Sequence, residues 1–436
     1  MSTINQSKSE IEDATGKDWG MIAQKKLMDS YRQKLITAKE RGEKVVYTFV
    51  PGNLNEILLA FDAIPIFPEI LGLQMAISQE ADFNIQLGEK EGYAEDVCSY
   101  VKGSIGMAVN DNIGPFGAKL PEPDFLFLIN SNCFTFQKWF EILKRYYKCP
   151  VVHIHLPFNE GEKPTKVAVD YCVKQFKQIV IPEFERLTGK KFDLDKLKHH
   201  LDFSRQAEEE YFNVYELQRN NPAPFDAVFN GMYYLGPINT AYRGTPEAVE
   251  YYRKLREDLQ YRVLNKKGPV TPFGRLDDQK YRLVFEGPPP WNALKGFSKI
   301  FFDEKAVNVG GTYNKVGGTF DFGEFHDSSR PFESLSEQCM TCYCNNSIIV
   351  RSDMIERHIR DYHADGFIIS SVKSCKSFPA GELAMLRRIE ERTGIAGGFF
   401  ELDMMDSRFY AEANVRNRIE SYLRMIDQKK KRGAVA

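Results

Sequence analysis

No phosphate-binding loop of the form G-x-x-x-x-G-K-[ST] occurs in the 436 residues, and no G-x-G-x-x-G follows a strand-like run. Nothing in the chain cradles a nucleotide in a recognised way, so any ATP that drives its chemistry has to be spent by a partner. The glycine-rich Gly310-Gly-Thr-Tyr-Asn-Lys-Val-Gly-Gly318 has neither spacing, and a G-x-S-x-G nucleophile elbow is absent. The opening MSTINQSKSE lacks the apolar stretch of a signal peptide. The most apolar region, Ile57 to Ile77, is interrupted by Asp62, Pro65, Pro68 and Glu69 and does not read as a membrane span. Excess charge is missing too: 58 Lys and Arg against 60 Asp and Glu leave −2, which offers nucleic acid no basic surface. The Lys-rich end, Asp427-Gln-Lys-Lys-Lys-Arg432, is local and reads as a solvated tail. The expectation is a soluble, cytoplasmic protein with no membrane and no nucleic-acid partner.

A hydrophobic fraction of 43% with 27% charged residues describes globular material, long enough for two or three domains. Residues 1–43 read as a helical leader. Apolar runs of strand length follow: Lys44-VVYTFV-Pro51, Asp124-FLFLIN-Ser131 and Pro150-VVHIHL-Pro157, separated by helical segments such as NLNEILLAFDA and FTFQKWFEILKRYYK. Buried strands alternating with helices imply a parallel sheet covered on both faces, here over 44–164. Long amphipathic helices rich in charge and tyrosine fill 165–275 as a connector. A second strand-helix series occupies 276–436, with KYRLVFEG, KAVNVGGTY, DGFIISSVKSC and GGFFELD as its strands. The fold class is α/β: two Rossmann- or flavodoxin-like parallel-sheet domains facing a cleft.

Eight cysteines in a reducing compartment point to buried thiols, metal ligands or catalysis, not to disulfides. Cys133 and Cys375 each directly follow a buried strand, at the strand ends where open α/β sheets bind ligands. Cys98 lies near a helix start, where the dipole and backbone N–H groups favour a thiolate; the alternative is a small buried core residue. Three thiolates from distant parts of a chain suit a 4Fe-4S cluster with one iron left open. A rival pattern is Cys339-x2-Cys342-x15-His358-x4-His363, which has Cys2His2 zinc spacing. Against it, Asn346 stands where an aromatic core residue is expected, and the two histidines diverge by roughly 140° on a helix. His153 and His155 share one face of a strand, as structural residues or as proton donors. Lys373 and Lys376 flank Cys375 and can lower its pKa, pair with CoA phosphates or sit exposed. Tyr233, Tyr234 and Tyr242 either line an aromatic pocket or pack in a core. Glu56 is a polar candidate near the crevice or a helix first-turn acid.

Cys98-Ser-Tyr-Val-Lys-Gly-Ser-Ile-Gly106, Cys133-Phe-Thr-Phe-Gln-Lys-Trp139, Ala364-Asp-Gly-Phe-Ile-Ile-Ser-Ser-Val-Lys-Ser-Cys375 and Asn414-Val-Arg-Asn-Arg-Ile-Glu-Ser-Tyr422 resemble the benzoyl-CoA reductase and 2-hydroxyglutaryl-CoA dehydratase D-component family. VPGNLNEILLAFDAIPIFPE, YRLVFEGPPPW and KVGG look most like the B subunits of its class I, ATP-dependent reductases. The resemblance implies a 4Fe-4S cluster on Cys98, Cys133 and Cys375, and a homologous iron-sulfur subunit as partner. It further implies two kinase-like subunits that bind ATP and Mg, reduced ferredoxin as donor, and a two-electron dearomatisation of an aromatic acyl-CoA. Some relatives hold an 8Fe-9S double cubane, for which Cys339, Cys342 and Cys149 are the added candidates and Cys344 a bystander. Pro51-Gly-Asn-Leu-Asn-Glu56 stands where the dehydratases carry P-x-E-L, which disfavours 2-hydroxyacyl-CoA dehydration. The alternatives are a dehydratase subunit, a double-cubane reductase of another small substrate, and a non-catalytic zinc-binding scaffold.

Overall fold

Continuous apolar runs become the inner strands of two sheets in the computed structural model, which describes residues 18–130, 133–313 and 325–433. The first sheet holds β1 (Lys44–Tyr47), β2 (Ala63–Ile66), β3 (Phe125–Ile129) and β4 (Val151–Ile154) in the order β2-β1-β3-β4. A short hairpin, β5 (Val270–Thr271) and β6 (Gly274–Arg275), precedes the second sheet. That sheet holds β7 (Tyr281–Glu286), β8 (Ala306–Gly311), β9 (Gly366–Val372) and β10 (Gly397–Leu402) in the order β10-β9-β7-β8. Every pairing within the two sheets is parallel. The α/β class with two parallel sheets is therefore as the sequence led us to expect.

Both sheets wind the same way. In each, the first strand lies inside, the second beside it at one edge, and the third and fourth on the other side. The winding direction reverses between β1 and β3, and again between β7 and β9. Beyond the carboxyl ends of such strand pairs the loops part and leave a crevice.

β2 is missing from the sequence reading because Pro65 argues against a strand. It is an edge strand, where a residue without an N–H is tolerated, and its partner register places Pro65 opposite Val46. In the connector, helix Leu194–Glu216 packs on helix Pro246–Leu264. The described part of the leader, helix Trp19–Ile36, lies against this pair: Trp19 stacks on Tyr251, and Tyr242 donates to the Leu27 carbonyl at 2.7 Å. The two sheet units share buried contacts. Trp291, Leu335, Met404 and Met405 of the second unit belong to the same apolar core as β1 and β3.

Helix Ser99–Val109 is seated by glycines. A Cβ on Gly106 would stand 1.9 Å from the Asn84 carbonyl oxygen of helix Ala81–Lys90, so the two backbones touch where no side chain fits. Gly106→Ala is expected to shift the denaturant midpoint by about 1–3 kcal/mol of overpacking. An unchanged midpoint in equilibrium unfolding would show that the helix pair has room to spare.

Candidate functional site

Three thiols reach one place by three different routes. Cys133 caps helix Phe134–Tyr147 just past β3, Cys98 caps helix Ser99–Val109, and Cys375 sits in the turn after β9. All three line one cavity of about 90 Å³, together with Glu69, Tyr100, Tyr313, Cys344, Arg351 and Phe378. The units are joined at this point by a fully buried network. Asp403 accepts from the Ser374 N–H at 3.1 Å and from the Ser374 hydroxyl, and also from the N–H groups of Met405 and Asp406 at 3.0 Å. The Ser374 hydroxyl oxygen in turn accepts from the Ser99 N–H at 3.1 Å. Ser99 adjoins Cys98 and Ser374 adjoins Cys375, so the network sets both thiols.

Burial dominates their acidity. It pushes Cys98 well above the ordinary thiol value, helped by the neighbouring Cys375 and Cys133, and it raises Cys375 to about 11. Cys133 rises for the same reason, with the Ser377 and Thr135 hydroxyls working against the shift. The expectation that the helix start makes Cys98 a thiolate is therefore overturned for the free thiol: desolvation outweighs the dipole. Among the described residues no three His, Cys, Asp or Glu side chains converge closely enough to hold one metal ion. Thiolates that each take a separate iron of a cluster stand farther apart than that, and soft sulfur donors on an apolar cavity fit such a group.

Glu69, Tyr100 and Tyr313 also line a second cavity of about 430 Å³, walled by Ile70, Leu73, Phe116, Tyr233 and Trp291. Its volume lies in the range of small-molecule sites, about 300–1,000 Å³. Trp291 Nε1 donates to the Tyr100 hydroxyl at 2.7 Å, and the Tyr100 and Tyr313 hydroxyls lie 3.3 Å apart. Glu69 is nearly buried, accepts from the Val50 N–H at 2.6 Å, and is pushed by burial up to about 8. It is a neutral acid at pH 7 between the two cavities. Lys25 and Arg32 of helix Trp19–Ile36 stand on the chamber wall, Arg32 over the Phe116 ring at 4.5 Å.

Residues 48–426 match the family model for the 2-hydroxyglutaryl-CoA dehydratase D-component. The chain belongs to that family. It is 46% identical to the B subunit of benzoyl-CoA reductase from Thauera aromatica, over 96% of this chain and 97% of the relative. Identity is 27% to the (R)-2-hydroxyisocaproyl-CoA dehydratase alpha subunit of Clostridioides difficile, over 90% of this chain and 93% of the relative. It is 24% to the alpha subunit of (R)-2-hydroxyglutaryl-CoA dehydratase from Acidaminococcus fermentans, over 94% and 97%.

Other candidates in this family member lie elsewhere. His153 is half-buried and His155 exposed, edge-on to Tyr171, and neither lines the two cavities. β4 is an edge strand of the first sheet, and His155 lies just past its end. Glu56 is locked in a buried ion cluster with Arg243 at 2.7 Å, and its pKa is lowered because Arg243, with His326, outweighs burial. Lys373 pairs with Glu401 and Lys376 with Asp96, both at the surface. Of the three tyrosines only Tyr233 lines the chamber; Tyr234 and Tyr242 are core residues.

The zinc pattern is not assembled. His358 stacks on Tyr215, His363 sits on an exposed left-handed turn, and Cys339 is buried beside Cys172. Cys149 precedes β4, at the end of the sheet opposite the thiol cavity, and Cys339 and Cys342 pack under Gly52 instead of lining that cavity. The added double-cubane set is thus not gathered around Cys98, Cys133 and Cys375. Of the glycine-rich stretch, Asn314 to Gly318 lie outside the described residues, as does KVGG. Sequence reasoning missed Glu69, which looks like a mere break in an apolar run, and Cys344.

Ser374→Ala leaves the buried Asp403 carboxylate short of a donor, at about 1–3 kcal/mol. The expected result is a lower unfolding midpoint, with Ser374→Thr restoring it; an unchanged midpoint in Ser374→Ala would show that Asp403 keeps enough donors without the hydroxyl.

Proposed function

We propose that this chain is the B-type iron-sulfur subunit of an ATP-dependent, ferredoxin-driven reductase. The reaction is the two-electron dearomatisation of benzoyl-CoA, or a close analogue, to cyclohexa-1,5-diene-1-carbonyl-CoA. The observation that carries this reading is that Cys98, Cys133 and Cys375 share one buried cavity, which adjoins an aromatic-lined chamber through Glu69, Tyr100 and Tyr313. Identity of 46% to a benzoyl-CoA reductase subunit, against 27% and 24% to two dehydratase subunits, favours reduction over dehydration. In the cytoplasmic enzyme a homologous iron-sulfur subunit and two kinase-like subunits complete the assembly. The kinase-like pair binds ATP and Mg, which agrees with the absence of a nucleotide loop here.

Cys98, Cys133 and Cys375 would hold a 4Fe-4S cluster, which supplies single electrons at low potential when bound. Trp291, Tyr233 and Phe116 give the chamber flat apolar surface against which an aromatic ring packs. Lys25 and Arg32 on its wall suit the phosphates of a CoA arm. Glu69 carries the proton that a reduced ring must take. Burial raises its pKa against the hydrogen bond from the Val50 N–H; the cations lining its two cavities are Arg351 on one side and Lys25 and Arg32 on the other.

Three outcomes test the reading. Serine at Cys98, Cys133 or Cys375 is expected to lower the iron and sulfide of the anaerobically purified complex by about four of each per copy of this chain, and wild-type iron in all three variants would end it. The product is expected to be a cyclic diene with net electron uptake; an enoyl-CoA formed without electron uptake would assign dehydration instead. Glu69 has a raised folded pKa, so it is protonated below about 8 and its proton is lost as pH rises through that value. Reductase activity should fall along that alkaline limb, and Glu69→Gln should lower kcat by about 10²-fold or more and abolish the limb. A Glu69→Gln enzyme with the wild-type pH profile would clear Glu69 of the role.

A further inference from the structure

Among the described residues the thiol cavity is lined by four cysteines, not three. Cys344 lines it together with Cys98, Cys133 and Cys375, although the Cys-x-x-Cys pattern of Cys339 and Cys342 draws attention away from it. Its placement is built. Cys344 sits in the one-turn helix Tyr343–Asn345, and Asn345 Nδ2 donates to the carbonyls of Pro157 and Met340, each at 2.9 Å. The Asn159 N–H donates to the Asn345 carbonyl at 3.0 Å, and the Asn159 and Asn346 side chains join at 2.7 Å. A turn of the second unit is thus strapped to the loop after β4 of the first, which presents Cys344 to the cavity.

A second observation concerns charge. Arg351 lines the same cavity, is 5% exposed, and stacks between Tyr343 and Phe378 with its carbon Cζ 4.9 and 4.6 Å from the ring centres. Its Nη2 pairs with Glu286 at 2.6 Å, while its Nε has no hydrogen-bond partner. It is the one cation among the described residues lining this cavity. A buried guanidinium with an unspent donor marks a place where negative charge is to be held.

We propose that Cys344 is a fourth protein ligand of the cluster, closing the iron that three cysteines would leave open. This rests on the three-thiol reading above and sharpens it. As the Sγ–Fe bond forms, the Cys344 thiol proton passes to bulk water and no electron is transferred. The fourth thiolate adds one negative charge, which Arg351 partly offsets. With every iron closed by sulfur, no iron is left to take a substrate oxygen as a Lewis acid. The site is then confined to passing electrons to a ring in the adjoining chamber.

The test uses the complete complex purified anaerobically as wild type, Cys344→Ala, Cys344→Ser and, as a buried-thiol control, Cys339→Ser. Iron and sulfide are counted and cyanide binding at iron is measured, and each sample is then oxidised with ferricyanide and followed by EPR. Wild type and Cys339→Ser are expected to keep their iron and bind no cyanide. Whichever Cys344 variant assembles a cluster is expected to bind cyanide at the open iron before oxidation and, on oxidation, to lose about one iron per copy of this chain and develop a 3Fe-4S signal. A wild-type cluster that loses that iron or binds cyanide as readily as the Cys344 variants overturns the fourth ligand while leaving the other three standing. Wild type without iron or sulfide overturns the three-thiol reading itself, and this proposal with it.

Discussion

The site depends on one buried hydrogen-bond network, the chain from Ser99 through Ser374 to Asp403. Ser99, Ser374 and Asp403 are each about 1% exposed or less. A carboxylate in that position is tolerable only if its oxygens are saturated, and four donors converge on Asp403. The N-terminus of a helix in the first unit is thereby tied to the end of a central strand in the second. Lys102 extends the tie: its side chain is fully buried, donating to Glu89 at 2.8 Å and lying 3.6 Å from Asp406. The thiols at 98 and 375 are fixed by their covalent neighbours before any metal arrives. Such preorganisation lets thiols from distant parts of a chain act as one set of donors.

The duplicated winding explains why the thiols meet at strand ends. Cys133 follows the third strand of the first sheet and Cys375 the third strand of the second, each beside the reversal of winding direction. Facing two such crevices toward each other brings equivalent positions together. Among the described residues the lining is largely apolar and carries a single cation, so added negative charge there would be poorly solvated.

Much of this was legible in sequence. Continuous apolar runs gave the central strands, and a cysteine directly after such a run gave Cys133 and Cys375. Other features depend on tertiary facts that carry no local signal. β2 contains Pro65, admissible only because the strand is at an edge. His153 and His155 carry no local sign of their distance from the cleft; neither lines either cavity. Glu69 reads as a charge breaking an apolar stretch, and only its burial makes it an acid near neutrality. The regular spacing of Cys339 and Cys342 draws attention away from Cys344, yet it is Cys344 that lines the thiol cavity.

Glu69, Tyr100 and Tyr313 belong to both cavities, and this shared lining has a chemical consequence. Electrons need only proximity, whereas a proton must be handed over by a group at hydrogen-bonding reach of the acceptor. Residues common to both spaces are where the two requirements would meet: the chamber adjoins both the thiol cavity and a carboxyl group held above its ordinary pKa. Burial raises that carboxyl and the thiols alike. One property of the cleft, its low capacity to solvate charge, thus disfavours a free carboxylate and free thiolates together.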